Sequence, residues 1–507
     1  MWRHRGAVRH RDRAHHGLGP PVPRRAHRLP PPAPPRDGAV RRAGGVSVRR
    51  GGLTVGQQAL WLLYRQDPAG AAYNVMCALH GTFDAVRLAE AVRVAGGRHD
   101  LVRSAFAEDA SGPHRLVHDT ALVRLEVRDL PGASRARLAG AARTAGLEPF
   151  RLERDGAFRA VLFRGADEHL LLVAGHHVAT DAMSQCGLVR HILDAYADLT
   201  EGRVPQSEPL PSFERQVERE RALQDTPRFT DHERHWRRVC AGAPTLELPV
   251  DRPRPRRART GGRTHELRLD PALVTGVRDA AARASTTPFA VMLTAFRLLL
   301  HRYTGERDIV LGCPVGVRRA AGLRETVGYY VNPVVLRAEI AADTSAADLL
   351  AAAHTEVRDA TAHQDLPFPL LPGVLGVRRD PARAPLFQIT FTLVATGRLD
   401  PVADLLAGGV REIEYRGMRL AACDLDQQEG QFDLAVEVLA GSGGTRVLFR
   451  YRDDLYEPET MRRLGRHYVR LLSALAGTPP DEPVRPPAPD AEERAELMAL
   501  GRVRSRT

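Results

Sequence analysis

Two adjacent histidines, followed closely by an aspartate, are the residues of this sequence best suited to chemistry. They lie in AGHHVATDAMS (174–184), where an apolar run ends in His176 and His177 and Asp181 precedes a helical pattern. A histidine near its ordinary pKa can accept a proton at neutral pH and act as a general base. Because side chains alternate between the two faces of a strand, we expect only one of the two imidazoles to reach a reacting atom.

The residues alone leave other interpretations of this segment open. A histidine pair after a strand could ligate zinc, but the opposed side-chain directions and the lack of an evident third ligand disfavour it. The two histidines could also be ordinary core residues. We predict no metal site, and we expect Asp181 to cap the next helix or to form an ion pair that holds the loop.

Hydrophobic periodicity predicts the elements that carry this segment. Residues 157–165 and 168–177 have the pattern of adjacent strands, and residues 182–199 have that of a helix. The second half has predicted strands at about 308–315, 332–338, 387–394, 432–439 and 446–452, and predicted helices at 289–303 and 458–477. This order favours an α+β fold of two lobes, each a mixed sheet covered by helices.

Charge and composition argue against several functional classes. Residues 1–50 supply +11 of the formal net charge of +12, so the remaining chain is close to neutral. A body of this kind lacks the electrostatic footprint of a nucleic-acid-binding protein. No apolar run reaches about 18 residues, the length that predicts a membrane span. The five cysteines are odd in number and widely spaced, which suits a reducing cytoplasm rather than a disulfide framework.

The sequence predicts five segments. Residues 1–50 form an Arg/Pro-rich disordered tail, 51–225 a first lobe with the histidines, 226–263 a connecting helix and linker, 264–478 a second lobe, and 479–507 a Pro-rich linker and tail. Three explanations of the first tail stay open. The tail could result from a translation start assigned too far upstream, or it could be a solvated docking tail or a targeting peptide. A targeting peptide is disfavoured, because the sequence lacks the apolar region expected of one.

The segment HHVATDA resembles the HHxxxDG motif of the condensation-domain superfamily of nonribosomal peptide synthetases. Further segments resemble the family's motifs in the family's order: LTVGQQALWLLYR (53–65), RHDLVRSAF (98–106), GCPVGVR (312–318), VGYYVNPVVLR (327–337), HQDLPFPLL (363–371) and RRDPARAPLFQITFTL (378–393). The resemblance covers about residues 52–478. It implies a chloramphenicol acetyltransferase-like fold duplicated into two lobes, which form a V-shaped pseudo-dimer.

The resemblance also implies roles for individual residues. His177 matches the histidine that points into the reaction tunnel and is the expected catalytic residue, whereas His176 matches a histidine that is usually structural. Asp181 matches the aspartate that pairs with an arginine of the other lobe, here Arg318. Ala182 departs from the family, which has glycine beside the tunnel at this place. Further candidates for the tunnel or the lobe interface are Arg103, Asn332, Gln364 and Asp365.

The function implied by the resemblance is a condensation-type acyltransferase that joins carrier-bound acyl or aminoacyl thioesters through an amide bond. The implied partners are a donor and an acceptor carrier protein, which supply phosphopantetheine, and an adenylation-domain protein in trans. The chain itself is expected to bind no cofactor, nucleic acid or membrane and to act as a cytoplasmic monomer.

Three alternatives to this function stay open. The chain could be an ester-forming acyltransferase of the same superfamily, in which the same histidine would deprotonate a hydroxyl. It could also be a catalytically silent module that docks carrier proteins or tailoring enzymes, for which Ala182 is the main support. The third alternative is nucleic-acid binding through the Arg-rich residues 1–50.

Overall fold

The protein is a mixed α/β body built on three β-sheets. The computed structural model describes residues 40–41, 47–166, 168–256, 261–319, 322–341, 343–378, 380–395 and 400–485. The predictions made for residues 1–39, 42–46 and 486–507 therefore lie outside the described residues.

The strands, in chain order, are β1 (Val40–Arg41), β2 (Ser47–Gly51), β3 (Asn74–Gly81), β4 (Ser104–Asp109), β5 (Gly112–His118), β6 (Leu125–Asp129), β7 (Phe158–Arg164), β8 (His169–His176), β9 (Arg263–Arg268), β10 (Asp308–Gly316), β11 (Val331–Glu339), β12 (Ile389–Ala395), β13 (Glu412–Tyr415), β14 (Met418–Ala422), β15 (Leu434–Gly441) and β16 (Gly444–Tyr451). The helices are α1 (Val55–Gln66), α2 (Ala85–Gly97), α3 (Arg135–Leu147), α4 (Ala182–Thr200), α5 (Glu214–Gln224), α6 (Pro227–Cys240), α7 (Pro271–Arg283), α8 (Pro288–Thr304), α9 (Ala346–Ala362), α10 (Leu371–Leu375), α11 (Pro401–Leu406) and α12 (Pro458–Gly477), with a 3₁₀ turn at Phe368–Leu370.

The first sheet carries the histidine pair. Its order is β13-β14-β3-β8-β7-β6, with β8 antiparallel to both β3 and β7 and with β6 parallel to β7. The hairpin β13–β14 comes from the second half of the chain and joins β3 through the pair Ala421↔His80. This sheet therefore depends on both halves of the sequence.

The second sheet repeats the strand order of the first. Its order is β11-β10-β12-β15-β16-β9, in which β16 is antiparallel to β9 and β15 and β12 is parallel to β15. The series β3-β8-β7-β6 thus corresponds to β9-β16-β15-β12. In each series the second strand leads into a long helix, α4 or α12. The duplicated arrangement confirms the predicted α+β class.

The third sheet, β1-β2-β5-β4, shows where the prediction for the N-terminal tail went too far. The predicted tail runs to residue 50, but the strand Ser47–Gly51 pairs with β5 and the Val48 side chain is buried. The Arg-rich composition concealed this strand, because strand pairing satisfies backbone groups whatever the side chains are. The predicted disordered tail is therefore wrong for residues 40–41 and 47–50, which belong to paired strands.

Two hydrophobic cores hold the sheets and helices together. One cluster lies around the first sheet, α2 and α4, and the other lies around the second sheet, α8 and α12. The first cluster also takes in Leu323, Val327 and Tyr330, which belong to the connection between β10 and β11. That connection is therefore anchored against the half of the molecule that carries the histidines.

Candidate active site

A short turn between β8 and α4 presents the histidine pair. The strand β8 ends at His176, and the His177 amide donates a hydrogen bond to the Tyr73 carbonyl at 2.7 Å. Asp181 has an extended backbone and accepts a hydrogen bond from the Ser184 amide at 2.7 Å, so it is the N-cap of α4. The sequence predicts this cap correctly, because aspartate is a favoured residue at the first position before a helix.

His176 is buried and holds the turn from inside. Its Nδ1 atom accepts a hydrogen bond from the Val178 amide at 3.1 Å, and the rings of Tyr64 and Phe150 contact the imidazole edge to face. Burial lowers the pKa of His176 to about 3. The ring is therefore neutral at physiological pH and has an apolar environment.

His177 points the other way and keeps one nitrogen free. Its Nδ1 atom lies 2.7 Å from the Thr180 carbonyl oxygen, which can only accept a hydrogen bond. Nδ1 therefore carries the hydrogen, and Nε2 presents its lone pair. Among the described residues no hydrogen-bond partner of Nε2 is found, and the residue is half-buried. Burial lowers the pKa of His177, and the Thr180 carbonyl and Asp181 partly oppose this effect.

Asp181 and Arg318, the predicted ion pair, lie together. The Asp181 carboxylate is 3.6 Å from the Arg318 guanidinium and also accepts a hydrogen bond from the Tyr330 amide at 2.9 Å. The guanidinium stacks 3.9 Å above the centre of the Tyr330 ring and donates to the Ser184 hydroxyl. These contacts join the start of α4 to the connection between β10 and β11.

Ser184 strengthens the same junction, although the sequence analysis did not select it. Its hydroxyl donates to the Gly328 carbonyl at 2.7 Å and lies 3.1 Å from the Gly328 amide. Arg318 also donates to the carbonyl of Leu323 at 2.9 Å. Both residues therefore hold the connection from several sides and keep it against the turn of His177.

Ala182, at the place where the motif that the segment resembles has glycine, is exposed at the first position of α4. An alanine there has ordinary helical backbone angles, and its methyl group does not enter the core. The fold therefore accommodates the substitution without crowding its own atoms.

Asn332, in β11 of the second sheet, forms hydrogen bonds to the segment that follows α9. Its amide donates to the carbonyls of Gln364 and Leu366 at 2.8 and 2.7 Å, and its oxygen accepts from the Phe368 amide at 2.8 Å. Gln364 in turn donates to the Gly316 carbonyl at 3.1 Å. Asp365 lies in the same segment, and its nearly buried side chain pairs with three arginines, Arg219, Arg228 and Arg319.

A narrow cavity of about 40 Å³ lies between α1, α5, β11 and the segment after α9. Three predicted residues, Asn332, Gln364 and Asp365, line it together with Tyr329 and Glu220. Burial raises the pKa of the Glu220 carboxyl to about 7, and that carboxylate accepts a hydrogen bond from the Val55 amide. The cavity thus gathers polar groups from both halves of the chain.

Arg103, the remaining predicted residue, is located in another part of the molecule. Its guanidinium donates to the His118 carbonyl on β5 at 2.6 Å, next to the third sheet. The residues that line the cavity do not include it. The turn after α2 directs this side chain towards β5, a direction that the motif alone does not specify.

The part of the chain that the structure describes contains no cluster of three or more His, Cys, Asp or Glu side chains arranged for a metal ion. No helix among the same residues is both long and apolar enough to cross a bilayer.

Tyr329 is another site residue that the sequence analysis missed. Its ring stands edge to face against the His177 imidazole, with the ring centroids 5.2 Å apart and the planes at 88°. The tyrosine lies in VGYYVNP, a segment that the sequence analysis used only to establish family resemblance. The doubled aromatic was the available signal, since two adjacent rings before a strand point in different directions.

Comparison with known proteins gives a consistent result. The family model described as Condensation domain matches residues 52–498. The chain is 32% identical to phosphinothricin tripeptide synthetase PhsC of Streptomyces viridochromogenes, with 84% of this chain and 39% of PhsC covered. It is 30% identical to tyrocidine synthase 2 of Brevibacillus parabrevis, with 84% of this chain and 12% of that protein covered. The chain thus spans well under half the length of these relatives.

Among solved structures, the fold is similar to that of the X-domain in the complex of the X-domain and OxyB from teicoplanin biosynthesis. The TM-score is 0.73 at 26% identity, and the match covers 89% of this chain and 97% of the X-domain. The alignment therefore includes both halves of the described body, which agrees with the duplicated fold.

Proposed function

Because the chain belongs to the condensation-domain family, we propose that it forms an amide bond between an acyl or aminoacyl thioester and an amine. Both substrates would be held on the phosphopantetheine arms of carrier proteins. The observation that carries this proposal is His177, whose Nδ1–H is bound to the Thr180 carbonyl while Nε2 stays free. That arrangement leaves one lone pair available to an incoming amine.

The proposed chemistry is the aminolysis of a thioester. An α-amino group with an ordinary pKa of about 7.7–8.0 is largely protonated at neutral pH. The neutral amine attacks the thioester carbonyl, its N–H proton passes to Nε2 of His177, and the thiolate leaves and takes up a proton. Help of this kind from a general base contributes about 10²–10⁴-fold to the rate.

Positioning contributes more than proton transfer. Holding two reactants in an attack geometry can supply about 7–11 kcal/mol of the barrier. The junction of Asp181, Arg318 and Tyr330 supports this role, because it holds the His177 turn against the connection between β10 and β11. In this proposal these three are positioning residues, and His177 is the catalytic residue.

The partners in this proposal are a donor carrier protein, an acceptor carrier protein and an adenylation-domain protein that acts in trans. Phosphopantetheine is supplied by the carriers, and the chain acts as a monomer in the cytoplasm. Two observations support this. The cavity is lined by both halves of one chain, and the cysteines Cys77, Cys186, Cys240, Cys313 and Cys423 are all free thiols.

The test is a condensation assay with loaded carriers, followed by intact-mass analysis. We expect His177→Ala to lower the rate of amide formation by about 10²–10⁴-fold. His301→Ala, a substitution near the end of α8, serves as the matched control and should retain the rate. Full activity of His177→Ala would remove the catalytic role of this imidazole. Offering an alcohol acceptor in parallel separates amide formation from ester formation.

A second candidate function is docking without catalysis. It is favoured by the 26% identity to the X-domain, a domain solved in complex with OxyB. The free Nε2 atom of His177 favours catalysis over docking, because a docking surface does not need an unpaired lone pair in this turn. Carriers that bind the chain but yield no product in the same assay would favour docking.

A further inference from the structure

We infer that Tyr329 limits the size of the acyl or aminoacyl group that can reach His177 from the cavity between α1 and α5. The inference rests on the proposed function, because it concerns the thioester that enters on this side. It assigns a selective role to a residue that takes no part in proton transfer.

The first argument is the place of the ring. Tyr329 lines the cavity and also contacts the His177 imidazole edge to face, with the ring centroids 5.2 Å apart. The phenol ring therefore lies between the cavity, whose lining residues do not include His177, and the imidazole. A group that approaches His177 from this side meets Tyr329 first.

The second argument is how the ring is held. A Cβ atom at Gly56 would lie only 2.7 Å from Cε1 of Tyr329, so the ring rests directly on the backbone of α1. Gly56 lies in the first turn of that helix, where its backbone angles do not call for glycine. The missing side chain therefore makes room for the ring, and larger residues at position 56 would displace it.

The third argument is the contrast with the neighbouring tyrosine. Tyr330 is almost fully buried and is fixed beneath the Arg318 guanidinium. Tyr329 is only half-buried, and its hydroxyl has no hydrogen-bond partner within the described ranges. Packing alone holds the Tyr329 ring, so its bulk, rather than a polar contact, determines its effect.

The volume of the cavity determines which aminoacyl groups we expect the site to prefer. The cavity of about 40 Å³ has room for only a few water molecules. A glycyl or alanyl group fits next to the ring, whereas a phenylalanyl or leucyl side chain would have to displace it. We therefore expect the site to prefer a small aminoacyl thioester on the side lined by α1 and α5.

The first experiment measures the steric cover of His177 without any turnover. Diethyl pyrocarbonate acylates an accessible, unprotonated imidazole nitrogen, and peptide mass spectrometry reports the rate at His177. We expect Tyr329→Ala to be modified at least about fivefold faster than the parent protein and Tyr329→Leu to lie between them. Tyr329→Phe, the matched control, should equal the parent protein. An unchanged rate in both the alanine and the leucine variant would overturn the inference.

The second experiment measures selectivity. Glycyl and phenylalanyl pantetheine thioesters compete in the condensation assay, and the ratio of their kcat/KM values is determined. We expect the parent protein to prefer the glycyl substrate at least tenfold and Tyr329→Ala to lose most of that preference. A preference of the parent protein for the phenylalanyl substrate, or an unchanged ratio in Tyr329→Ala, would contradict the inference.

The two experiments separate the failure of this inference from the failure of the proposed function. If the parent protein forms no product from any thioester, the proposed function fails. The acylation rate at His177 still tests whether Tyr329 limits access to this imidazole. If Tyr329→Ala does not fold, Tyr329→Leu decides both experiments, because leucine keeps apolar packing on Gly56 while shortening the side chain.

Discussion

The turn after β8 and the turn after β16 occupy equivalent places in two similar sheets, but they differ in chemistry. Asn74 at the start of β3 pairs with His176, and Arg263 at the start of β9 pairs with Tyr451. By this register, Arg452 has the position that His177 has in the first sheet. In both cases a strand ends, a short turn follows, and a long helix begins.

The side chains of Arg452 and His177 differ in how many of their nitrogen atoms have a polar partner. Arg452 is 2% exposed, and its guanidinium donates to both oxygens of Asp454 at 2.9 and 2.8 Å and lies 3.5 Å from Asp433. His177 uses one nitrogen for a carbonyl and leaves the other free. The comparison shows that the fold supplies the same position twice, and that only the first of the two positions holds a side chain with an unpaired nitrogen.

The helix starts differ in the same sense. Asp181 caps α4 and also contacts Tyr330 and Arg318 of the distant connection. Glu457 stands before α12 without a side-chain capping bond, and its carboxylate pairs with the half-exposed Arg252. The first helix start is therefore capped by its own carboxylate, whereas the second relies on Asp251, whose carboxylate accepts hydrogen bonds from the Glu457 amide and the Thr460 hydroxyl.

The largest effect on stability is expected at Arg452, in the turn after β16. Arg452→Met should lower the free energy of unfolding by about 3–5 kcal/mol, because it leaves the partly buried Asp454 carboxylate without its partner and the buried Asp433 with Arg254 alone. The catalytic rate per folded molecule should not change. Urea unfolding of Arg452→Met and of Arg462→Met, whose ion pair with Glu459 is exposed, measures the difference. Equal midpoints for the two variants would show that Arg452 is not a structural residue.

A smaller effect is expected at the N-cap of α4. Asp181→Ala should destabilise the protein by about 2–3 kcal/mol, because the Ser184 and Tyr330 amides and Arg318 all lose an acceptor. We also expect the rate of condensation to fall by at least about tenfold, since the His177 turn loses its support. Glu457→Ala is the matched substitution at the second turn and should cost less than about 1 kcal/mol. Equal losses of stability in Asp181→Ala and Glu457→Ala would contradict the proposed difference between the two turns.

Near neutral pH, the smallest effect is the contribution of His176 to the dependence of stability on pH. His176 has a pKa of about 3 when folded and an ordinary value near 6.5 when unfolded, so the unfolded state binds more protons between these values. Stability should therefore fall as the pH drops from about 6.5 towards 3, by up to about 1.4 kcal/mol per pH unit.

His176→Gln keeps an acceptor for the Val178 amide and should reduce this slope. Denaturant unfolding at a series of pH values is the measurement. Tyr451, the residue that corresponds to His176, does not titrate in this range, so Tyr451→Phe should leave the slope unchanged. A slope that is identical in His176→Gln and the parent protein would contradict the burial argument.

Much of the site could be predicted because its signals are local. The strand that ends in His176, the opposite directions of the two imidazoles and the cap at Asp181 depend on residues within a few positions of one another. The pairing of Asp181 with Arg318 was expected from the family resemblance, and the structure places the two side chains 3.6 Å apart.

The sequence alone did not reveal the long-range contributions. Tyr329 reaches His177, and the hairpin β13–β14 reaches β3, only after the chain has returned from the second sheet. Strand Ser47–Gly51 was missed for a similar reason, because its partner β5 supplies the pairing. No local pattern encodes which distant backbone will satisfy such a group.

By itself, the sequence determined two histidines with opposed side chains at the end of a strand and a capped helix after them, because alternation and capping act over a few residues. Only the tertiary structure decided that His177 keeps a free nitrogen, that Tyr329 packs against its ring, and that the turn is tied to a connection 149 residues away at Tyr330. Those outcomes depend on packing between two sheets, which is set by the whole chain rather than by any one segment.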